Sequence, residues 1–426
     1  MSTKRAVIYG LCSDLITSTD VFQEAGLDVV AWFSNVPQAT HPLGLFTYCK
    51  FAKEKFYGFP QEAHDFVMSR IWTYLDMASR IDVYYELDVH DFINILNKTF
   101  DYYYHLLTSE AVDLIIFSSM PHVGDDWLLY MTAQYLGIKT IVLYQSLFPN
   151  HFFYTFDIQD FGYFNQALKI RPYELISIEK KHEKEIFYMQ NVKRPTYGLK
   201  DFTGHFRAKK LLSFLPCYKR FRTYEKKFNR YACMSVDWDA KYVYFPLHLQ
   251  PEMTTSTLGG RYADQMLALE KLSQLLPKDW FIYLKENPIQ TEFMRGRYFW
   301  DRLSLLPNIK FVPINTNTHA LIQHSQFVST ITGTAGWEAI TGGKNALVFG
   351  QPWYITLPGV FQYRDDFVLA DLLAYEIDHG ELEASFSRLS VKMVTGLVSE
   401  DYRPIVPNFD PIQNERNLVD FLKAVL

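Results

Sequence analysis

Two hydrophobic patterns alternate along the chain. Short unbroken apolar runs, each stopping at glycine or polar residues, are the mark of strands buried on both faces; apolar positions recurring every three or four residues mark amphipathic helices. In the first third, Arg5–Gly10 (RAVIYG), Asp28–Phe33 (DVVAWF), Asp113–Ser118 (DLIIFS) and Lys139–Tyr144 (KTIVLY) predict strands. Helical spacing occupies His64–Thr108, and Ser13 or Asp14 would cap a helix after the first strand. Asp125–Leu136 predicts a crossover helix closed by Gly137, which completes a βαβ unit.

The alternation stops near Asp157 and resumes near Lys241. Between them the chain is charged and helical in pattern, with no clear strand. Beyond, Tyr242–Pro246 (YVYFP), Trp280–Lys285 (WFIYLK), Ile309–Val312, Phe327–Thr330 (FVST) and Ala346–Phe349 predict strands. Helices are expected at Tyr262–Leu276, where Met266, Leu269, Leu272 and Leu276 share a face, at Thr318–His324, after Gly336, and at Gln413–Leu426. Strands alternating with helices predict doubly wound α/β sheets. The expected division is a Rossmann-like domain over 1–156, a helical basic bridge over 157–235, a second Rossmann-like domain over 236–395 and a tail with a terminal helix over 396–426. A chain of 426 residues also favours two domains.

Composition adds three constraints. The net charge of −5 argues against a general nucleic-acid binder. Charge is uneven, however: Lys169–Arg230 holds 17 Lys/Arg against 6 Asp/Glu, which suits either a solvated helical face or a local anionic partner such as a membrane surface. Cys12, Cys49, Cys217 and Cys233 show no paired or metal-ligand spacing, and the apolar runs are too short for a signal peptide or a spanning helix. A cytoplasmic protein follows, with peripheral contact to the inner membrane as an option.

In open α/β sheets ligands bind at the carboxyl ends of strands, so the polar residues there are the candidates. Thr332-Gly333-Thr334-Ala335-Gly336-Trp337-Glu338 follows FVST. Its small residues allow close backbone approach, and a helix start offers N–H groups to a phosphate. Glu338 could accept ribose hydroxyls; the structural alternative is a tight turn with Glu338 in a capping box. Lys285 and Asn287 close WFIYLK and suit a phosphate or carboxylate, or simply a polar loop. His248, Gln250 and Glu252 follow YVYFP, and a carboxylate such as Glu252 can act as nucleophile or general base. In the first domain Ser13, Ser118, His122, Gln145 and Ser146 occupy strand ends, for acceptor contact, acid/base work or loop hydrogen bonding. Gly10–Asp14 is not a dinucleotide fingerprint. Asp237-Trp238-Asp239 has metal-motif spacing but precedes its strand, so no metal and no cofactor are expected.

The motifs FPLHLQPE (Phe245–Glu252), GGRYADQ (Gly259–Gln265), YLKENP (Tyr283–Pro288), TITGTAGWEAITGGKNALVFG (Thr330–Gly350) and Trp353-Tyr354 resemble, in order and spacing, the capsule polysaccharide biosynthesis family, which includes bacterial β-Kdo transferases. The small-residue turn followed by Glu is also similar to bacterial GT-B sialyltransferases. The resemblance implies a GT-B architecture: two Rossmann-like domains facing a central cleft, with the acceptor on the first and the nucleotide sugar on the second. It implies a CMP-linked ulosonic acid (Kdo or related) as donor and a surface polysaccharide or lipid-linked glycan as acceptor. It assigns phosphate binding to Gly333, Thr334 and Gly336, with Thr332 and Ala335 in the same turn. Ribose falls to Glu338, nucleotide contact to Lys285 and Asn287, and catalysis to Glu252; His248 and His122, from their strand-end positions in this chain, are further proton-transfer candidates. The family commonly reads Lys-Glu-His-Pro, and Asn287 stands here for the His. An imidazole can carry a proton where an amide only hydrogen-bonds. The rival readings are a non-catalytic scaffold that binds glycan or nucleotide, and a sugar-nucleotide epimerase of the same fold.

Overall fold

The computed structural model describes residues 3–11, 15–16, 20–43, 56–85, 88–165, 178, 208–232, 235–250, 253–290 and 295–426. Ser13, Asp14 and Glu252, together with most of the basic 169–230 segment, lie outside them.

Apolar strands flanked by amphipathic helices can bury both faces only as a layered α/β unit, and the chain builds two. Unit 1 comprises 1–177 and 383–426; unit 2 comprises 178–382. The expected two Rossmann-like domains are therefore present, although the last 44 residues of the sequence belong to the first unit.

Unit 1 holds a six-stranded sheet of β1 (Lys4–Tyr9), β2 (Leu27–Phe33), β3 (Leu114–Phe117), β4 (Lys139–Gln145), β5 (His151–Thr155) and β12 (Val394–Thr395), in the order β12-β5-β4-β3-β1-β2. Strands β1 to β4 are parallel, whereas β5 turns back on β4 and β12 pairs antiparallel with β5. The crossover helix Asp125–Leu136 ends on Gly137 at φ 68°, a left-handed position that suits glycine. The helix Val89–Ser109 opens on a capping box formed by Asp88 and Asp91. The helix Pro411–Val425 buries Leu418, Val419, Phe421 and Leu422 against Ile141, Leu143, Phe152 and Tyr154 in the same core.

Unit 2 is wholly parallel. Its strands β6 (Tyr242–Pro246), β7 (Phe281–Lys285), β8 (Ile309–Phe311), β9 (Phe327–Thr330), β10 (Ala346–Val348) and β11 (Val360–Gln362) lie in the order β11-β10-β9-β6-β7-β8. Counted from β6, this is the Rossmann order 3-2-1-4-5-6. The helix Gln265–Leu275, capped by the Asp264 carboxylate on the Met266 N–H, buries Met266, Leu269 and Leu272 on the sheet. The helix Ala208–Tyr231 does not behave as a separate bridge. Phe221, Tyr224 and Phe228 join the unit 2 core, with Tyr224 against Trp300 and Phe228 against Phe311. Among the described residues no helix is long and apolar enough to cross a membrane.

Candidate functional site

A Rossmann sheet opens a crevice where its strand order reverses, because the connections on either side leave in opposite directions. In unit 2 that point lies between β6 and β9, neighbours in the sheet though consecutive in neither direction along the chain. The segments that leave their carboxyl ends are Leu247–Gln250 and Ile331–Gly336. These are two of the motifs that carried the family resemblance, so sequence and topology converge on one place.

His248 joins the two segments. Its Nε2 lies 2.9 Å from Thr330 Oγ1 and accepts the Ile331 N–H at 3.3 Å. Its Nδ1 lies 3.0 Å from Thr255 Oγ1. An Nε2 that accepts a backbone N–H must be unprotonated, so the proton sits on Nδ1 and is donated to Thr255. Burial, and secondarily the Arg295 guanidinium, lowers the His248 pKa to about 4. The ring is thus a neutral hydrogen-bonding bridge at physiological pH.

The turn after β9 is packed from two sides. A methyl group on Gly333 would meet the His248 ring at 3.0 Å, and one on Gly336 would collide with the Tyr354 hydroxyl. That hydroxyl donates to the Gly333 carbonyl. The Gly333 N–H donates to Thr330 Oγ1 at 3.2 Å and the Gly336 N–H to the Gly333 carbonyl at 3.2 Å. Thr332 donates its hydroxyl to Thr254 at 3.0 Å. The helix begins at Ala335, one residue before the expected Gly336, and runs to Thr341. Thr334 is its N-cap but makes no side-chain cap bond, so the capping-box alternative is not what forms. Glu338 is 9% exposed, with Oε2 at 3.9 Å from His319 Nδ1. Small residues here therefore serve close packing, and two of the expected phosphate-binding N–H groups are bonded within the turn.

At the end of β7, Lys285 donates from Nζ to the Thr316 carbonyl at 2.8 Å and to Thr318 Oγ1 at 2.7 Å. It ties the strand end to the loop after β8. Asn287 accepts the Ile289 N–H on Oδ1 at 3.1 Å, closing its own turn. Between these two lies what the sequence reading passed over. Glu286 and Arg295 form an ion pair with both side chains 0% exposed, through Nε–Oε2 at 3.0 Å and Nη2–Oε1 at 3.1 Å. Arg295 also donates to Gln250 Oε1 at 3.0 Å and to the His248 carbonyl at 3.2 Å. Polar residues in loops look solvated in a sequence, and only the fold shows that these are buried and paired.

Unit 1 also has a reversal, between β1 and β3. Gly10, at φ 90°, packs so closely on Ser118 that a methyl group there would strike the Ser118 hydroxyl. His122 follows in the next turn. Its Nδ1 donates to the Met120 carbonyl at 2.6 Å, and Asp126 accepts the backbone N–H groups of His122, Val123 and Trp127. Behind them Tyr9 and Tyr103 are buried beside Asp125 and Asp126, and burial first, then these carboxylates, holds both phenols well above their ordinary pKa. Gln145 and Ser146 bond to other partners. Gln145 donates to the His151 carbonyl at 2.9 Å and accepts the N–H groups of Val398 and Ser399 at 2.9 and 3.3 Å. Ser146 bonds the same His151 carbonyl at 2.5 Å. Of the readings open to these two, loop hydrogen bonding is the one the geometry displays.

The resemblance found in Tyr242–Tyr354 is borne out: residues 199–365 match the sequence model of the family described as capsule polysaccharide biosynthesis protein. No curated protein matches the chain. Among solved structures it is similar to Thermosulfurimonas dismutans KpsC, beta Kdo 2,7 transferase, at 12% identity over 83% of this chain and 96% of that one, with a TM-score of 0.35. For the beta Kdo 2,4 transferase of the same organism the values are 11%, 74%, 88% and 0.33. A UDP-GlcNAc 2-epimerase from Methanocaldococcus jannaschii gives 10% identity over 99% of each chain, at a TM-score of 0.28. Likenesses this distant carry no inference about activity.

Proposed function

We propose, from the capsule polysaccharide biosynthesis match over residues 199–365, that the chain is a glycosyltransferase of surface-glycan assembly whose unit 2 binds the nucleotide-sugar donor, an ulosonic acid linked to CMP. One observation carries the reading. The matched segment contains the β6/β9 reversal of a Rossmann sheet, and the two strand-end segments there are fastened together by His248.

In this reading the donor phosphate lies at the Thr332–Gly336 turn, whose Gly333 and Gly336 N–H groups would exchange their partners within the turn to meet it, with Glu338 on the ribose and Lys285 and Asn287 beside the nucleotide. The neutral, doubly bonded His248 holds the site and moves no proton. Glu252 is then the nucleophile or general base. Ser118 and His122, at the unit 1 reversal, are the acceptor-side candidates. A nucleoside monophosphate leaves readily, so the reading calls for no metal or cofactor. The basic 169–230 segment is proposed to hold the enzyme at an anionic membrane surface, and its binding to anionic vesicles should fall steeply with salt.

The test is release of free CMP from CMP-Kdo, followed with and without acceptor glycan. Acceptor-dependent release supports transfer, and Glu252→Gln should abolish it while CMP binding persists. Turnover retained in that variant removes Glu252 from the chemistry. A second reading draws on Asn287, whose amide closes its own turn and supplies no proton: a nucleotide-binding scaffold without turnover. CMP binding with no release under any acceptor would select it.

A further inference from the structure

The Arg295–Glu286 pair is costly to bury. Two charges taken from water lose much of their solvation, and well-packed apolar side chains in their place are commonly as stable or more so. Stability alone therefore does not account for the pair, and its remaining contacts show what else it does. Nη1 of Arg295 bonds Gln250 Oε1, and Nη2 bonds the His248 carbonyl as well as Glu286. Glu286 Oε1 also accepts the Asn287 N–H at 3.0 Å. The Gln250 N–H goes to Gln290 Oε1 at 2.9 Å, and its amide donates to the Ala263 carbonyl. The His248 N–H goes to Gln265 Oε1 at 2.8 Å. Arg295 is itself fixed, since its carbonyl accepts the Trp300 indole N–H at 2.9 Å. One guanidinium thus ties the segment after β6 to the segment after β7, and the His248 ring carries the connection to the turn after β9.

We infer that Arg295 is a positioning residue: through Glu286 and Gln250 it fixes the His248 segment, and through His248 it fixes the Thr330–Gly333 turn in the arrangement that takes the nucleotide. The inference rests on the nucleotide-site reading above. It touches no reacting atom and is not a catalytic assignment.

The test uses the full chain with Arg295→Lys and with the paired replacement Glu286→Leu/Arg295→Met. Hydrogen–deuterium exchange is compared between the 330–336 segment and the strands β6 and β7, and CMP binding is measured by calorimetry. The paired replacement should keep a cooperative melt and slow exchange in β6 and β7. Exchange at 330–336 should accelerate, and CMP affinity fall, each by about tenfold or more. Arg295→Lys, which keeps the charge but loses the fork, should fall between. Exchange at 330–336 unchanged in the folded variants overturns the inference. So does acceleration in step with β6 and β7, which would make the pair merely structural; if the paired replacement fails to fold, Arg295→Lys is judged by the same criterion. If the unaltered chain binds no CMP, the donor reading falls, while the exchange comparison still decides the role of Arg295.

Discussion

His248 accepts on one ring nitrogen and donates on the other, and protonating Nε2 would set it against the Ile331 N–H. This has a pH signature. Above about 6.5 the imidazole is neutral in folded and unfolded chains alike. As pH falls from there towards about 4, the unfolded chain takes up a proton that the folded one refuses, so stability declines; below about 4 both are protonated and the decline stops. The shift corresponds to about 3 kcal/mol across that window. Denaturant titrations between pH 7 and 4 should show this slope, and His248→Gln should remove it. Gly336 gives a second expectation at this scale. Gly336→Ala drives a methyl into the Tyr354 hydroxyl, for a cost of about 1–3 kcal/mol and weakened CMP binding; Tyr354→Phe in the same chain should restore part of the stability, read from melts of the single and double variants. The glycines and His248 were legible as site candidates because small residues and a ring at strand ends are conspicuous in sequence. Arg295 and Glu286 were not, since the partners of the Arg295 guanidinium lie from 9 to 47 positions away.

Elements with a strong local pattern were legible and those defined by distant pairing were not. The apolar runs Tyr242–Pro246 and Phe327–Thr330 and the helix Thr318–His324 form where the sequence predicts. Strand β5 escaped because it returns antiparallel from β4 just after Asn150, a left-handed residue at φ 57°. Strand β12 is two residues long and exists only through its pairing with β5, more than 230 positions earlier. Gln145 shows the consequence for function. It stitches β4 to the His151 carbonyl and to the chain at Val398–Ser399, so Gln145→Ala should cost about 1–3 kcal/mol by leaving buried backbone groups unpaired. Chemical denaturation checks the cost. CMP affinity unchanged in the same variant would agree with a structural role.

At the scale of the whole molecule the two units carry separate burdens. Unit 1 depends on the returning 383–426 segment, whose Phe421 ring meets Phe152 and Tyr154 edge-on at 5.4 and 5.0 Å. Phe421→Ala should therefore destabilise unit 1 by about 3–5 kcal/mol, while the proposed donor site, built wholly from unit 2, should bind CMP as the unaltered chain does. Calorimetric melting and CMP titration of that variant check both halves. Where a nucleotide binds is the central question, and hydrogen–deuterium exchange of the full chain with and without saturating CMP measures that most directly. Slowed exchange concentrated at 246–250 and 330–338, with UDP and GDP giving less, is the predicted result. CMP that binds without slowing exchange at either segment, or that does not bind, would contradict it.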